Sequence, residues 1–256
     1  MNNLNTQQDE DKRKDNLGLA LQDKPTTGSD RFTLWISQNY MLVFILIILL
    51  YVGAPFIAPV LMKAGMQTPA RIIYMLYSPL CHQLAFRSWF LFGEQPVYPL
   101  EIAHVDDLLP YEVYTNQAKI DLLGARNFIG NETMGYKVAL CERDIAIYVA
   151  LLLFAIVFAL SGRRIRGLPW YLWIAVGLIP IGLDGISQLP SLASGLIPFL
   201  PIIRESTPIL RTITGVLFGF CTGWYMFPLI EESMNETSQI VKNKYSAGSP
   251  KREIQD

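Results

Sequence analysis

Residues 41–62 read MLVFILIILLYVGAPFIAPVLM, 22 positions without a charge. As a helix rising 1.5 Å per residue this stretch is about 33 Å long, enough to cross about 30 Å of hydrocarbon. Three more blocks share its character. Residues 145–161 and 168–183 carry no charge, and residues 208–230 carry one, Arg211. Over the 256 residues, 51% are hydrophobic and 17% charged, and the mean hydropathy is +0.28. Four helices apolar all round would not find enough amphipathic partners in a soluble core. The expected fold is all-α: a polytopic membrane helix bundle of four transmembrane helices with one or two interfacial or re-entrant segments. The lipid bilayer is its first partner. A net charge of −1 leaves no basic stripe for nucleic acid.

Residues 1–35 are expected to form a disordered cytoplasmic tail, rich in Asn, Gln, Asp and Lys. Residues 36–232 form the membrane bundle, and residues 233–256 a second disordered cytoplasmic tail. The first apolar block follows a polar stretch and is too long for the apolar core of a signal peptide, so it is expected to stay as an anchor. Residues 71–93 are apolar but interrupted by Pro79 and by Cys81, His82, Gln83 and Arg87. A lipid-facing charge there is costly, which favours an interfacial segment over a fifth crossing. Residues 94–140 hold seven acidic and three basic residues and read as a water-exposed, extracytoplasmic loop. The short link Gly162-Arg163-Arg164-Ile165-Arg166-Gly167 belongs in the cytoplasm by the positive-inside rule. Both termini then lie inside, and the location expected is a prokaryotic plasma membrane. Residues 190–201 are broken by prolines and read as interfacial or re-entrant.

The last apolar block opens with Thr207, a good N-cap, and Pro208, suited to the first helical position. It then carries Gly215, Gly219 and Gly223, each four apart. Such a small-residue stripe is a packing seam, either within the chain or between copies in a homo-oligomer.

Polar residues cluster at one set of helix ends. Cys81-His82-Gln83 precedes Arg87-Ser88-Trp89-Phe90-Leu91-Phe92-Gly93. Then come Cys141-x-Arg143-Asp144-x-x-Ile147-Tyr148, Asp184-Gly185-x-x-Gln188, Arg204-Glu205-Ser206 and Arg211-x-x-Thr214-Gly215. This order of motifs resembles the domain of unknown function 2085 family of predicted membrane proteins, over roughly residues 70–230. The resemblance implies the membrane class and the grouping of these motifs, without a reaction. The family more often has a second cysteine where this chain has Asp144, which weighs against a site needing three cysteines.

Three chemistries compete for the cluster. Cys81, His82, Cys141 and Asp144 include zinc ligands, though Cys81 and His82, being adjacent, reach one ion only from irregular backbone. Cys81 and Cys141 are alternatively a disulfide, worth roughly 4 kcal/mol on a loop-closure argument. The third is an ion-pair network of Arg87, Arg143, Arg204 and Arg211 with Asp144, Asp184 and Glu205. As an enzyme, the face would act on a lipid head group or lipid-linked phosphate. Arg204 and Arg211 would clamp the anion, Asp184 or Asp144 would be acid or base and His82 a proton relay. Gln83, Arg87, Arg143, Gln188 and Glu205 would complete the binding face. As a non-enzyme, the same face would bind a membrane partner. No nucleotide loop, nucleophile elbow, haem motif or zincin motif is present.

Overall fold

The structure, a computed structural model, describes residues 27–116, 121–188 and 204–247. The proposed re-entrant stretch at 190–201 and most of the N-terminal tail lie outside the described residues. The chain divides into two compact units: Phe44–Pro228, and Met1–Val43 with Leu229–Asp256. In the second of these, Tyr40 donates to Glu231 at 2.6 Å and Lys244 pairs with Asp30 at 2.7 Å.

The protein is mostly helical. Helices α1 (Gly28–Lys63), α5 (Glu142–Leu160) and α7 (Pro208–Ala247) are each long and apolar enough to cross a membrane. Their outward positions are apolar: Leu50 is 70% exposed and Leu160 is 83%, as a side chain facing lipid would be. Helix α6 (Trp170–Ile186) follows the Arg163–Arg166 link and, at about 26 Å by its rise per residue, falls just short of a full span. Its middle, Trp173–Leu178, is π-helical. The apolar block at 168–183 is therefore a helix, but a shorter one than the other three. Helix α7 continues to Ala247, through much of the stretch expected as a tail.

Within Phe44–Pro228 the side-chain contacts fix the helix directions. Gly215, Gly219 and Gly223 of α7 meet Arg143, Ile147 and Leu151 of α5 in step, so α5 and α7 run parallel. A Cβ on Gly219 would stand 2.1 Å from the Ile147 carbonyl oxygen. The glycine stripe is thus filled by α5 of the same chain, the first of the two placements that its spacing allows. Helix α6 runs the other way along α7. Leu168 donates its backbone N–H to Trp224, Trp173 donates to Thr222, Gly177 faces Cys221, and Ser206 donates to Asp184. Tyr51 of α1 packs on Tyr148 of α5 with ring centroids 4.4 Å apart, and Phe44 on Phe227 at 6.1 Å. Residues 44–63 of α1 therefore run antiparallel to α5.

Between α1 and α5 the chain builds a small folded layer, where the sequence alone reads as a loop. Helix α2 (Gln67–Tyr77) is too short for a fifth crossing. Strand β1 (Ser88–Leu91) pairs with β3 (Gly135–Cys141), which also pairs with β2 (Gly130–Asn131), giving an antiparallel order β1-β3-β2. This sheet departs from the all-α expectation. Gly135 has φ +73° and lies 2.2 Å, at its would-be Cβ, from the Leu91 carbonyl oxygen, so only glycine fits the turn. Short helices α3 (Tyr111–Thr115) and α4 (Leu122–Asn127) close over a core of Phe86, Phe90, Tyr98, Leu100, Tyr111 and Met134. Phe90 and Tyr98 meet edge to face at 5.0 Å, a favoured aromatic geometry.

Candidate functional site: a thiol and carboxylate cluster on an ion-paired base

Strand β3 runs directly into α5, and Cys141 is the junction: last residue of the strand and N-cap of the helix. Cys81 arrives from the irregular turn that follows α2, the non-helical backbone that Pro79 suggested. Two residues pin this turn to β3. The Gln83 amide donates to the Tyr74 carbonyl at 2.9 Å and the Ala139 carbonyl at 3.0 Å. Lys137, 1% exposed, donates to the Gln83 carbonyl at 2.7 Å and the Arg126 carbonyl at 2.6 Å. Gln83 sits at φ +52°, a left-handed conformation that the two clamps hold in place.

The result brings Cys81, Cys141 and Asp144 together. Their ligand atoms all lie within 4.8 Å of one another. The Cys81 sulfur accepts backbone N–H groups from Gln83 at 3.4 Å and Cys141 at 3.3 Å. The Cys141 thiol stands 3.1 Å from Asp144 Oδ2. Hydrogen bonding from Cys141 holds the Cys81 thiol below its ordinary value, with the two N–H groups acting in the same direction. Cys141, half-buried and hydrogen-bonded beside Cys81, is held above its own. Cys81 is thus the sulfur that ionises first. The three residues border a cavity of about 310 Å³, whose lining also includes His82, Arg87 and Arg143. His82 is exposed at its mouth and is not one of the three clustered ligands. Both cysteines are free thiols in this structure.

Beneath the cavity lies a network of ion pairs. Arg211, 2% exposed, pairs with Glu205 and, at 3.1 Å, with Glu142. Arg87 makes a bidentate pair with Glu205, at 2.7 and 2.6 Å. Asp184, 4% exposed, is held by Arg143, by Ser206 at 3.0 Å and by Arg204 at 3.6 Å. Arg204 also donates to Ser187, and Gln188 donates to the Asp184 carbonyl at 2.8 Å. The network seen in the motifs is therefore real in outline. One partner differs: Asp144 faces Cys141 and not an arginine, and the acid opposite Arg211 is Glu142, which is fully buried.

This changes what the arginines do. Arg204 and Arg211, expected to clamp an anion, are consumed by carboxylates. Asp184, expected to be an acid or base, is enclosed by its partners and does not border the cavity that His82 borders. Glu142 and Lys137 were not singled out by the motifs. Glu142 adjoins Cys141 in the same motif, so the signal was present. Lys137 reads as one solvated charge among many, and only the fold buries it.

An uncharacterized protein of Methanocaldococcus jannaschii is 26% identical over 204 residues, which are 76% of this chain and 95% of that relative. No solved structure matches the chain. The family described as predicted membrane protein, domain of unknown function 2085, matches residues 125–225. That stretch holds Cys141, Asp144, Asp184, Arg204 and Arg211, and the Cys81-His82-Gln83 turn lies before it. The order of motifs resembles the same family, domain of unknown function 2085, whose model matches less than half of the chain.

Proposed function

We propose that this is a multi-pass membrane protein that binds a zinc-class metal ion with Cys81, Cys141 and Asp144 at the extracytoplasmic face. The observation that carries the reading is the convergence of two thiols and a carboxylate within 4.8 Å, beside a cavity of about 310 Å³. Two sulfurs and one oxygen suit zinc, whose ligand atoms stand roughly 3.5–3.8 Å apart in a tetrahedral site. Cys81 ionises readily, as a ligand must. His82, at the cavity mouth, is the residue that would complete the site or yield its place to water. Three protein ligands and one open position are the arrangement of a catalytic metal, which acts as a Lewis acid and lowers the pKa of bound water. A lipid head group or lipid-linked phosphate is the substrate class we favour, because the site stands where chain and membrane surface meet. Asp184 and Arg211 then act as positioning residues.

The topology proposed is four crossings. Helix α6 is short, yet it follows α7 from the Arg166 end to the Asp184 end, and α7 over that stretch is a span. Three arginines at one end favour the cytoplasm for that end, which supports a cysteine cluster on the outside of a prokaryotic plasma membrane.

Metal content of the detergent-purified, chelator-washed protein tests this. We expect near one zinc per chain, falling to near zero in Cys141→Ser and Asp144→Asn. A thiol count taken alongside separates the disulfide. No metal, with one reactive thiol before reduction and three after, would replace the metal site with a Cys81–Cys141 bond.

A further inference from the structure

A second cavity lies on the other side of the Gln83 turn. It measures about 200 Å³, and its charged lining is wholly basic: Arg71, Arg126 and Lys137, with Tyr74, Ser78 and Gln83 between them. No carboxylate among the described residues borders it. Arg71 has no carboxylate partner among the described residues. Arg126 spends one nitrogen on Ser78, at 2.7 Å to the hydroxyl and 3.2 Å to the carbonyl. Lys137 is 1% exposed and gives two of its hydrogens to the Gln83 and Arg126 carbonyls. An ammonium has three donors, so one is left. Three cations around one concavity repel each other, and Lys137 in particular is buried with no acid beside it. An arrangement of this kind is stabilised by an anion that accepts from all three.

We propose that Arg71, Arg126 and Lys137 form a binding site for a phosphate-type oxyanion. The ligand is either the head group of an anionic lipid or a soluble phosphate compound. Its setting fits the first source. Arg71 sits on α2, where Ile72, Met75 and Leu76 are 47%, 66% and 63% exposed. An apolar helix surface with an arginine beside it is what lies at the level of lipid head groups. The site does not depend on the metal, since none of its three cations is a candidate ligand. A groove bordered by Ser78, Pro79, Leu80, Cys81, His82 and Arg126 shares residues with both cavities, so an anion held here would lie along the same turn as the thiol cluster.

The full chain in phosphatidylcholine nanodiscs is the sample, and thermal unfolding is the readout. Inorganic phosphate at 10 mM, against chloride at matched ionic strength, is expected to raise Tm by several degrees. The rise should vanish in Arg71→Gln, an exposed position whose loss leaves the fold intact, and persist in part in Arg71→Lys. Nanodiscs doped with phosphatidic acid identify the source. If the lipid raises Tm and added phosphate then does nothing more, the head group is the ligand. If the lipid is without effect while phosphate still acts, the ligand is soluble. Either result supports the site. No phosphate effect in the wild-type protein, or an equal effect in Arg71→Gln, overturns it.

Discussion

Arg211 shows how a residue in an apolar block comes to be tolerated. Its guanidinium meets two carboxylates, Glu142 and Glu205, all three being almost wholly enclosed. Arg211→Met would leave the buried Glu142 without a cation and Glu205 with Arg87 alone, a loss of about 3–5 kcal/mol. Thermal unfolding in detergent checks this, and adding Glu142→Leu to Arg211→Met is expected to recover part of the loss. Lys137 makes a prediction of opposite kind. Burial pushes its ammonium down to about 7 from 10.5, with the Arg126 charge acting the same way and Cys81 opposing; Tyr74 and Arg71 border the same cavity. The unfolded chain therefore binds a proton that the folded chain releases between those values, and stability rises with pH across that window. Tm should climb from pH 7 to pH 9, and the climb should be lost in Lys137→Met. The motifs made Arg211 and its neighbours legible, because a charge inside an apolar run demands a partner. Lys137 was not legible, because a lysine in an acidic loop looks solvated until β3 carries it inside.

Helices were readable from length and apolarity, and their partners partly from spacing. The Gly215, Gly219 and Gly223 stripe announced a seam, and α5 fills it. Gly219→Ala would bring a methyl group to 2.1 Å from the Ile147 carbonyl oxygen, and no side-chain movement relieves a backbone clash. A loss of roughly 1–3 kcal/mol is expected, against little change for Gly53→Ala, which meets nothing within 4 Å. The end of the same helix was equally readable. Thr207 Oγ1 accepts the Leu210 N–H at 3.2 Å, so Thr207→Ala should cost about 1 kcal/mol. The sheet was not readable. Its strands are short, and β3 is buried nearly throughout, so it lacks the alternation that marks a half-exposed strand. Its role is positional: it delivers Cys141 to the Cys81 turn, which no spacing in the sequence could show.

At the scale of the chain, the helix directions and the charges must agree, and they do. Residues 44–63 and α6 run one way, α5 and α7 the other. The Arg163, Arg164 and Arg166 link then lies at one end of Phe44–Pro228, and Cys141, Asp184 and Arg211 lie at the other. An arginine-rich link stays on the cytoplasmic side because moving its charges across the membrane opposes the potential. On the proposed topology the cysteine cluster faces out, which is also the side where a thiol pair meets oxidants. Labelling of intact cells with a membrane-impermeant maleimide tests the whole arrangement. In a background where Cys81, Cys141 and Cys221 are serine, Glu132→Cys on the β2–β3 turn is expected to react in intact cells. Arg164→Cys should react only after the cells are opened. Both positions are exposed, so silence at either reports the membrane and not burial. Labelling of Arg164→Cys from outside would invert the topology. It would place the thiols in the reducing cytoplasm, where a disulfide would not persist and a bound metal would be the remaining use for two converging cysteines.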